Sequence, residues 1–401
     1  MSAPRSCWAS FAAKPRNGSI ENSARFADAP AMPGVKDGEP LGFTYIYPEL
    51  DAAAQRRKDE LLETPVAQPS PGETQSAAAL LRAMQGMGVQ ARNLGECYRV
   101  LRAICDDSDR PTVFLGLAGP LVAGGLRQVI RELIESGLVD VVVSTGAILY
   151  QDLYQARGWQ HYRGDPGADD GELRGLLVDR IYDAYVDERG FGESDTWVGL
   201  VADELAPGAW SSRQFMDALA DRIDDPLSIV QTCRARGVPM FVPAINDSSI
   251  GIGLTEHHHR CVRAGRPGLR IDSIQDNYEI TQIVAQSPAT AAFYVAGGVP
   301  KNYINDSIVM SYIFNRGDAG HRYALQVTTA VTADGGLSGS TLDEAKSWGK
   351  VRLNAARAMA WVEPTVALPL LASAALQEGI ARHRGRLELV WNGEILEKLS
   401  R

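Results

Sequence analysis

The chain has 401 residues, and its 45% hydrophobic and 22% charged residues are ordinary proportions for a soluble globular protein. The formal net charge of −9 argues against a nucleic-acid-binding protein, because such proteins normally present a basic face. The five cysteines are odd in number and show no C-x-x-C spacing, which is typical of reduced thiols and leads us to expect a cytoplasmic protein.

The chain begins with a segment in which neither a helical nor a strand period is sustained. Residues 1–40 are rich in small and polar residues and lack the apolar core of a secretory signal, so we interpret them as a partly disordered arm. A charged stretch and a proline-rich linker follow. We therefore predict an N-terminal arm and linker at 1–73 and one large domain at 74–401. No stretch approaches the roughly 20 apolar residues of a membrane helix, so we expect no membrane partner.

From Thr74 onward, helical patterns alternate with short apolar runs. Apolar residues recur with helical spacing at 79–104 and again at 126–136. Between and after these helices lie apolar runs of the kind that buried parallel strands show. The candidate strands are 112–117, 139–146, 239–244, 292–298 and 323–329. This alternation predicts an α/β fold with a doubly wound, mostly parallel sheet and a long N-terminal extension. Its ligand site is expected at the carboxyl ends of the strands.

Small residues end or follow three of the predicted strands. Gly119 comes after the first strand, Thr145 and Gly146 end the second, and Gly297 and Gly298 end the fourth. Small residues at such turns let backbone N–H groups approach a pyrophosphate at the start of a helix. None of the turns has the G-x-G-x-x-G pattern, and each alone could be a simple tight turn. Three of them at one sheet edge nevertheless favour a dinucleotide.

The histidine run 257–259 does not indicate a metal site. Consecutive residues on a helix point about 100° apart, so three neighbours cannot converge on one ion. Together with Glu256 and Arg260, the run is interpreted as the solvated start of a polar helix, and we expect no metal.

The densest group of candidate residues lies at 334–351, where a Gly/Ser loop leads into a short helical pattern. Within it, Trp348 and Gly349 directly precede Lys350. The plain alternative is a surface helix with solvated lysines, which is the usual situation of lysine. A lysine that forms imines must be neutral part of the time, and desolvation beside an aromatic surface is one way to achieve this. Lys350 is therefore a candidate nucleophile.

The segment from Ser338 to Lys350 resembles the catalytic-lysine motif of the deoxyhypusine synthase family, approximately Ser-Gly-Ala-x-Pro-x-Glu-Ala-x-Ser-Trp-Gly-Lys. The resemblance covers roughly residues 75–375. Further matches lie in order at 124–127, 139–147, 180–183, 243–247 and 297–302. The resemblance implies a Rossmann-like fold, a homotetramer with active sites between subunits, and bound NAD.

The resemblance also implies a reaction and the residues that perform it. In the family, NAD takes a hydride from spermidine, the aminobutyl portion passes to a lysine as an imine, and an acceptor amine displaces that lysine. Lys350 matches the imine-forming lysine, Trp348 matches the tryptophan that lines the amine channel, and Glu344 matches an acid near the substrate. Asp247 and Glu363 match positions that hold the cofactor, and Glu363 stands where the family has Asp.

Several positions depart from the protein-modifying members of the family. Asn302 stands where those members have His, and Gln151, Ile252 and Leu337 stand where they have acids that hold the cationic ends of spermidine. Loss of such acids should weaken a diamine clamp, because charge-assisted hydrogen bonds are the strong ones. We therefore expect Asn302 and Gln151 to belong to an altered substrate site.

The pattern around Asn302 and Leu337 resembles the prokaryotic branch of the family, which includes homospermidine synthase-like enzymes. The leading hypothesis is an NAD-dependent transfer of an aminobutyl group from a polyamine such as spermidine to a small amine such as putrescine. One alternative is a deoxyhypusine synthase that modifies a lysine of a translation factor. Another is a specialised-pathway member with a different amine substrate, or a binding scaffold.

Overall fold

The computed structural model describes residues 47–317 and 320–401. The chain divides after Pro65 into two compact units. In the first unit the described residues form one helix, α1 (Ala52–Leu61), whose N-terminus is capped by the side chain of Asp51. The arm predicted at 1–40 lies outside the described residues. The predicted domain boundary between residues 73 and 74 stays a prediction.

The second unit, Val66–Arg401, alternates helices and strands. Its helices are α2 (Ala77–Met84), α3 (Val89–Asp106), α4 (Arg127–Glu135), α5 (Gly146–Ala156), α6 (Asp170–Gly175), α7 (Glu188–Glu204), α8 (Ser212–Ala220), α9 (Ile229–Ala235), α10 (Ser249–Arg263), α11 (Ser273–Gln286), α12 (Gly298–Met310), α13 (Glu344–Ser347) and α14 (Pro364–Glu378), with a 3-10 turn at Ser311–Phe314. Across residues 47–317 and 320–401, no helix is both long and apolar enough to cross a lipid bilayer.

The strands form one large sheet and three small ones. They are β1 (Thr112–Leu117), β2 (Val141–Ser144), β3 (Tyr162–Arg163), β4 (Val178–Ile181), β5 (Ala184–Asp187), β6 (Gly208–Trp210), β7 (Met240–Phe241), β8 (Leu269–Ile271), β9 (Thr290–Val295), β10 (His321–Val327), β11 (Val351–Ala360), β12 (Glu388–Asn392) and β13 (Ile395–Ser400). The small sheets are β3-β5-β4, β6-β8 and β12-β13.

The large sheet is parallel throughout, with the order β7-β2-β1-β9-β10-β11. Counted along the chain, this order is 3-2-1-4-5-6, the arrangement of the Rossmann fold. The direction of winding reverses between β1 and β9, which creates a crevice at their carboxyl ends where dinucleotides bind in such sheets. The predicted Rossmann-like, doubly wound fold is confirmed.

Both faces of the sheet are buried. Alternate residues of β1 point to opposite sides, so Val113 and Leu115 belong to the core cluster that includes α3, α4, α5 and α14. Phe114 belongs to the cluster on the other face, with residues of α11, α12 and the β12–β13 hairpin. Burial on both faces explains why β1, β2, β9 and β10 appear in the sequence as nearly continuous apolar runs.

Two strands differ from the prediction. The expected strand at 239–244 is only the two-residue β7. The long strand β11 was not predicted, because Arg352, Asn354 and Arg357 interrupt its apolar residues. β11 lies at the edge of the sheet, so its burial is incomplete and polar side chains are tolerated there.

The histidine run is not the solvated start of a helix. Residues 257–259 lie in the second half of α10, and His257 is only 1% exposed. Its Nδ1 lies 2.7 Å from Oδ1 of Asp203, and its Nε2 accepts a hydrogen bond from the N–H of Leu269 at 2.9 Å. Asp203, His257 and Cys261 are close enough to hold a metal. Both imidazole nitrogens are already hydrogen-bonded, however, and two arginines neutralise Asp203, so this geometry favours a structural network over a cation.

Gly146 allows the turn after β2 to approach the loop after β7. A Cβ at Gly146 would lie 2.2 Å from Oγ and 2.6 Å from Cβ of Ser248. We predict that Gly146→Ala lowers the free energy of unfolding by about 1–3 kcal/mol, measured by urea denaturation. Adding Ser248→Gly should restore part of the loss. Gly175→Ala is the matched control, because a Cβ there meets no heavy atom within 4 Å. A Gly146→Ala variant as stable as the wild type would contradict this close approach.

Candidate functional site

The carboxyl edge of the large sheet brings together the residues predicted to bind a dinucleotide. Each follows a strand of that sheet, and the carboxyl ends of parallel strands meet at one edge. The residues are Gly119, Thr145, Gly146, Asp247, Gly297, Gly298 and Glu363. Gly119 lies two residues after the central strand β1 and has a φ of 88°, a conformation that glycine adopts without strain.

The geometry of this edge suits a dinucleotide. Thr145 is the N-cap residue of α5 and makes no side-chain capping bond, so the first N–H groups of this helix have no side-chain cap and can face a phosphate. Asp247 is exposed in the loop after β7. Glu363 is exposed at the start of α14, where its Oε2 accepts a hydrogen bond from the N–H of Thr365 at 2.8 Å. Exposed carboxylates of this kind can bind ribose hydroxyls.

Gly297 and Gly298 have a further role in this structure. A Cβ at Gly297 would lie 2.6 Å from Cα of Ser338, and the N–H of Gly298 donates to Oγ of Ser338 at 2.9 Å. The start of α12 therefore packs directly against the Gly/Ser loop that follows β10. This contact links the sheet edge to the segment that leads to Lys350.

The backbone position of Lys350 is fixed by the turn that ends α13. The N–H of Gly349 donates to the carbonyl of Lys346, and the N–H of Lys350 donates to the carbonyl of Ala345. This is the Schellman arrangement, in which glycine takes a left-handed conformation after the last helical turn, and Gly349 has a φ of 69°. The carbonyl of Lys350 then accepts from the N–H of His321 at 3.0 Å, which fixes the backbone at the beginning of β10 and β11.

The side chain of Lys350 reaches α12. Its Nζ lies 3.2 Å from Oδ1 of Asn302 and 3.1 Å from Oδ1 of Asp306. The indole ring of Trp348 has its centroid 5.4 Å from the same nitrogen. The Lys350 side chain is 15% exposed, whereas Trp348 is 68% exposed. The structure therefore brings Lys350, Trp348 and Asn302 together, and it adds Asp306.

The other two predicted substrate residues, Glu344 and Gln151, make no described hydrogen bond with Lys350. Glu344 is the exposed first residue of α13, where its N–H donates to Oγ1 of Thr341 at 3.0 Å. Gln151 is buried in α5, and its Oε1 accepts a hydrogen bond from the N–H of Ala123 at 3.1 Å. No described contact joins Gln151 to Lys350 within one chain. The substrate role of Gln151 stays a prediction.

A cleft of about 440 Å³ opens beside this cluster, between α11 and α12. Val299, Val309 and Met310 give it an apolar wall, and Leu337 closes one side. Its polar lining includes Asn302 and Asp306, and Asp306 is the one charged group among the described lining residues. The cleft can therefore accept an amine with an apolar stretch and one cation near Lys350.

Lys301 is a site residue that the sequence did not reveal. It is 1% exposed, and its Nζ donates to the carbonyl of Ser340 at 2.6 Å and to the carbonyl of Leu337 at 3.2 Å. Burial lowers the pKa of Lys301 to about 8, with an opposing contribution from Glu344 and a further lowering from Lys350. Lysine is rarely buried, so nothing in the sequence suggested this role. Through these hydrogen bonds, Lys301 of α12 binds the loop at 337–340, and Leu337 of this loop lines the cleft.

Known proteins resemble this chain over most of its length. The family model described as deoxyhypusine synthase matches residues 79–375. A deoxyhypusine synthase-like protein from Chlorobaculum parvum is 41% identical over 315 residues, which cover 77% of this chain and 87% of that protein. A protein from Methanosarcina mazei named "Probable deoxyhypusine synthase 2" is 40% identical over 324 residues, covering 79% of this chain and 92% of that protein.

A solved structure shares the fold. The crystal structure of a candidate deoxyhypusine synthase from Entamoeba histolytica matches with a TM-score of 0.54, covering 75% of this chain and 92% of that chain. The sequences are 17% identical, so this likeness concerns the fold alone.

The buried Lys301 gives a testable pH dependence of stability. Below pH 8 its ammonium is charged in both the folded and the unfolded protein, so folding bears the full cost of burying it. Between pH 8 and the unfolded value of 10.5, the folded protein releases the proton while the unfolded chain keeps it. We therefore predict that the wild type gains stability relative to Lys301→Met as the pH rises through this window, by at most about 3 kcal/mol.

Urea denaturation of both proteins at a series of pH values from 7 to 10 measures this difference. Lys398→Met, which removes an exposed lysine of β13, controls for general effects of alkaline solvent. A constant difference between the wild type and Lys301→Met would show that Lys301 keeps its proton in the folded protein.

Proposed function

The chain belongs to the deoxyhypusine synthase family, and on that basis we propose that it transfers an aminobutyl group from a polyamine such as spermidine to a small amine. The family implies an NAD-dependent transferase. In this proposal Lys350 carries the transferred group as an imine. The observation that supports it best is the position of the Lys350 amine, which lies beside an open cleft and within 3.2 Å of Asn302 and Asp306.

The residues proposed to take part in the reaction lie in two places, the carboxyl edge of the large sheet and the surroundings of Lys350. NAD, when bound, would supply the hydride chemistry, and Thr145, Gly146, Asp247 and Glu363 are the residues that would hold it at the sheet edge. Lys350 would bind the carbon chain of the donor through its nitrogen. Trp348 would cover that chain with its exposed indole face, and Glu344 would contribute negative charge nearby.

A small acceptor is supported by the charges of the cleft. Leu337, a position where protein-modifying members have an acid, closes the cleft with an apolar side chain. Ile252, another such position, is 52% exposed on α10. Asp306 is the one charged group among the described residues that line the cleft, so the cleft offers a single carboxylate. Such a cleft suits an amine with one nearby cation better than a polycation that must be held at both ends.

The alternative acceptor is a lysine of a translation factor, as in deoxyhypusine synthase. The name of the Methanosarcina relative and the family model support this acceptor as well as they support a small amine. A specialised-pathway amine is the third candidate, and the altered cleft positions are what favour it.

We also propose a cytoplasmic homotetramer in which active sites combine residues of two copies. Within one chain, the cofactor residues lie at the carboxyl edge, whereas Lys350 precedes β11. Asp306 lies eight residues along α12 from Gly298, about 12 Å at the rise of an α-helix. Trp348 is 68% and Leu353 82% exposed, apolar surface that a second copy could cover.

Product analysis tests the proposal. The protein is incubated with NAD, spermidine and either putrescine or a translation factor with a modifiable lysine, and products are identified by mass spectrometry. We expect homospermidine with putrescine, and Lys350→Arg should reduce its formation by about 1,000-fold or more, because the nucleophile is lost. Lys398→Arg, which alters an exposed lysine of β13, is the matched control and should retain activity. Transfer to the translation factor alone would select the alternative. Absence of transfer to any amine would refute the proposal.

A further inference from the structure

We propose that Asp306 is a catalytic residue that moves a proton between the acceptor amine and Lys350. This inference rests on the proposed function, since it presupposes an imine on Lys350. It assigns a role to a carboxylate of α12 that lies at the reacting nitrogen and that no sequence motif singled out.

The geometry holds one carboxylate oxygen against the amine. Oδ1 of Asp306 lies 3.1 Å from Nζ of Lys350, and Oδ2 accepts a hydrogen bond from Nδ2 of Asn302 at 2.8 Å. Oδ1 of Asn302 in turn lies 3.2 Å from the same Nζ. The three side chains therefore close a ring of contacts. Asn302 and Asp306 are four residues apart on one helix, a spacing that places them side by side.

Asp306 also faces the space where an acceptor would arrive. Its side chain is 45% exposed and lines the cleft, whereas that of Lys350 is 15% exposed. An incoming cation therefore meets the carboxylate before it meets the nitrogen of Lys350. Because Asp306 is the one charged group among the described residues lining the cleft, it is the natural partner for the ammonium of an acceptor.

The transfer step requires a group that takes and returns a proton. The acceptor amine arrives mainly as an ammonium, which has no lone pair with which to attack a carbon. Lys350, in contrast, must gain a proton to leave as an amine. Of the described side chains that contact Nζ, the amide of Asn302 and the indole of Trp348 cannot accept a proton at neutral pH, whereas the carboxylate of Asp306 can.

Asp306 takes part in each proton transfer of this step. The acceptor ammonium gives one proton to the carboxylate, and its freed lone pair forms a bond to the carbon of the protonated imine, whose π electrons move to Nζ of Lys350. The Asp306 carboxyl gives that proton to Nζ and takes a second proton from the acceptor nitrogen, whose lone pair then expels Lys350 as the bond between Nζ and the carbon breaks. The acceptor is now joined to the carbon as a protonated imine, and Lys350 is a free amine. The second proton passes from Asp306 to this amine, so Lys350 becomes an ammonium and Asp306 is again a carboxylate. No redox partner is consumed in this exchange.

Asp306→Asn tests the inference, because it preserves the shape and removes the ability to accept a proton. The intact protein is incubated with NAD and radiolabelled spermidine, and label fixed to the protein by borohydride is followed over time before and after putrescine is added. In Asp306→Asn we expect both the loading and the release of label to slow by about 100-fold or more. Asp306→Glu, which keeps a carboxylate one methylene further out, should recover part of the rate.

Asp221→Asn is the matched control, since it removes an exposed aspartate with an arginine partner, 52% exposed and distant in sequence from the cleft. It should load and release label at the wild-type rate. Thermal melting of each variant identifies any loss of folding, and recovery in Asp306→Glu separates a chemical role from a structural one. Loading and release in Asp306→Asn within a few-fold of the wild type would overturn the role of Asp306 alone. Absence of fixed label in the wild type would instead overturn the proposed function, and this inference with it.

Discussion

The contact between Lys350 and helix α12 is the interaction on which the rest of the account depends. The amine would be an ordinary surface group if it pointed to solvent, but its side chain is 15% exposed and meets Asn302 and Asp306 on that helix. Its position is fixed from two sides. The Schellman turn at Gly349 directs the chain, and the backbone bond to His321 anchors it to the sheet.

The surrounding residues restrict the loop that precedes Lys350. Buried Lys301 holds the carbonyls of Leu337 and Ser340, while Ser338 fits against the glycines that begin α12. The helix α12 is therefore connected to the edge where a dinucleotide would bind, to the loop that shapes the cleft, and to the proposed nucleophile Lys350. Such preorganisation lowers the cost of placing a reacting amine correctly, which is where much of catalysis originates.

The sequence predicted those parts of the molecule that depend on local pattern. The strands β1, β2, β9 and β10 were recognisable because strands buried on both faces are nearly continuous in apolar residues. Lys350 was found from its neighbours Trp348 and Gly349 and from the family motif. The edge strand β11 was missed, since exposed edges allow polar residues such as Arg352 to break the pattern.

Tertiary neighbours could not be predicted in this way. Nothing in the spacing of residues 334–351 indicates which helix the lysine meets, so Asp306 and Lys301 became visible only in the folded chain. His257 was misplaced for the same reason, because the start of α10 and its partner Asp203 depend on packing from distant segments.

The most direct test of the central claim is to locate the covalent adduct. The protein is incubated with NAD and spermidine, reduced with borohydride, digested, and analysed by peptide mass spectrometry. The account predicts that the added mass lies on Lys350 alone and is absent from its neighbours Lys301 and Lys346. An adduct on either of those lysines, or on none, would contradict the assignment of Lys350 as the nucleophile.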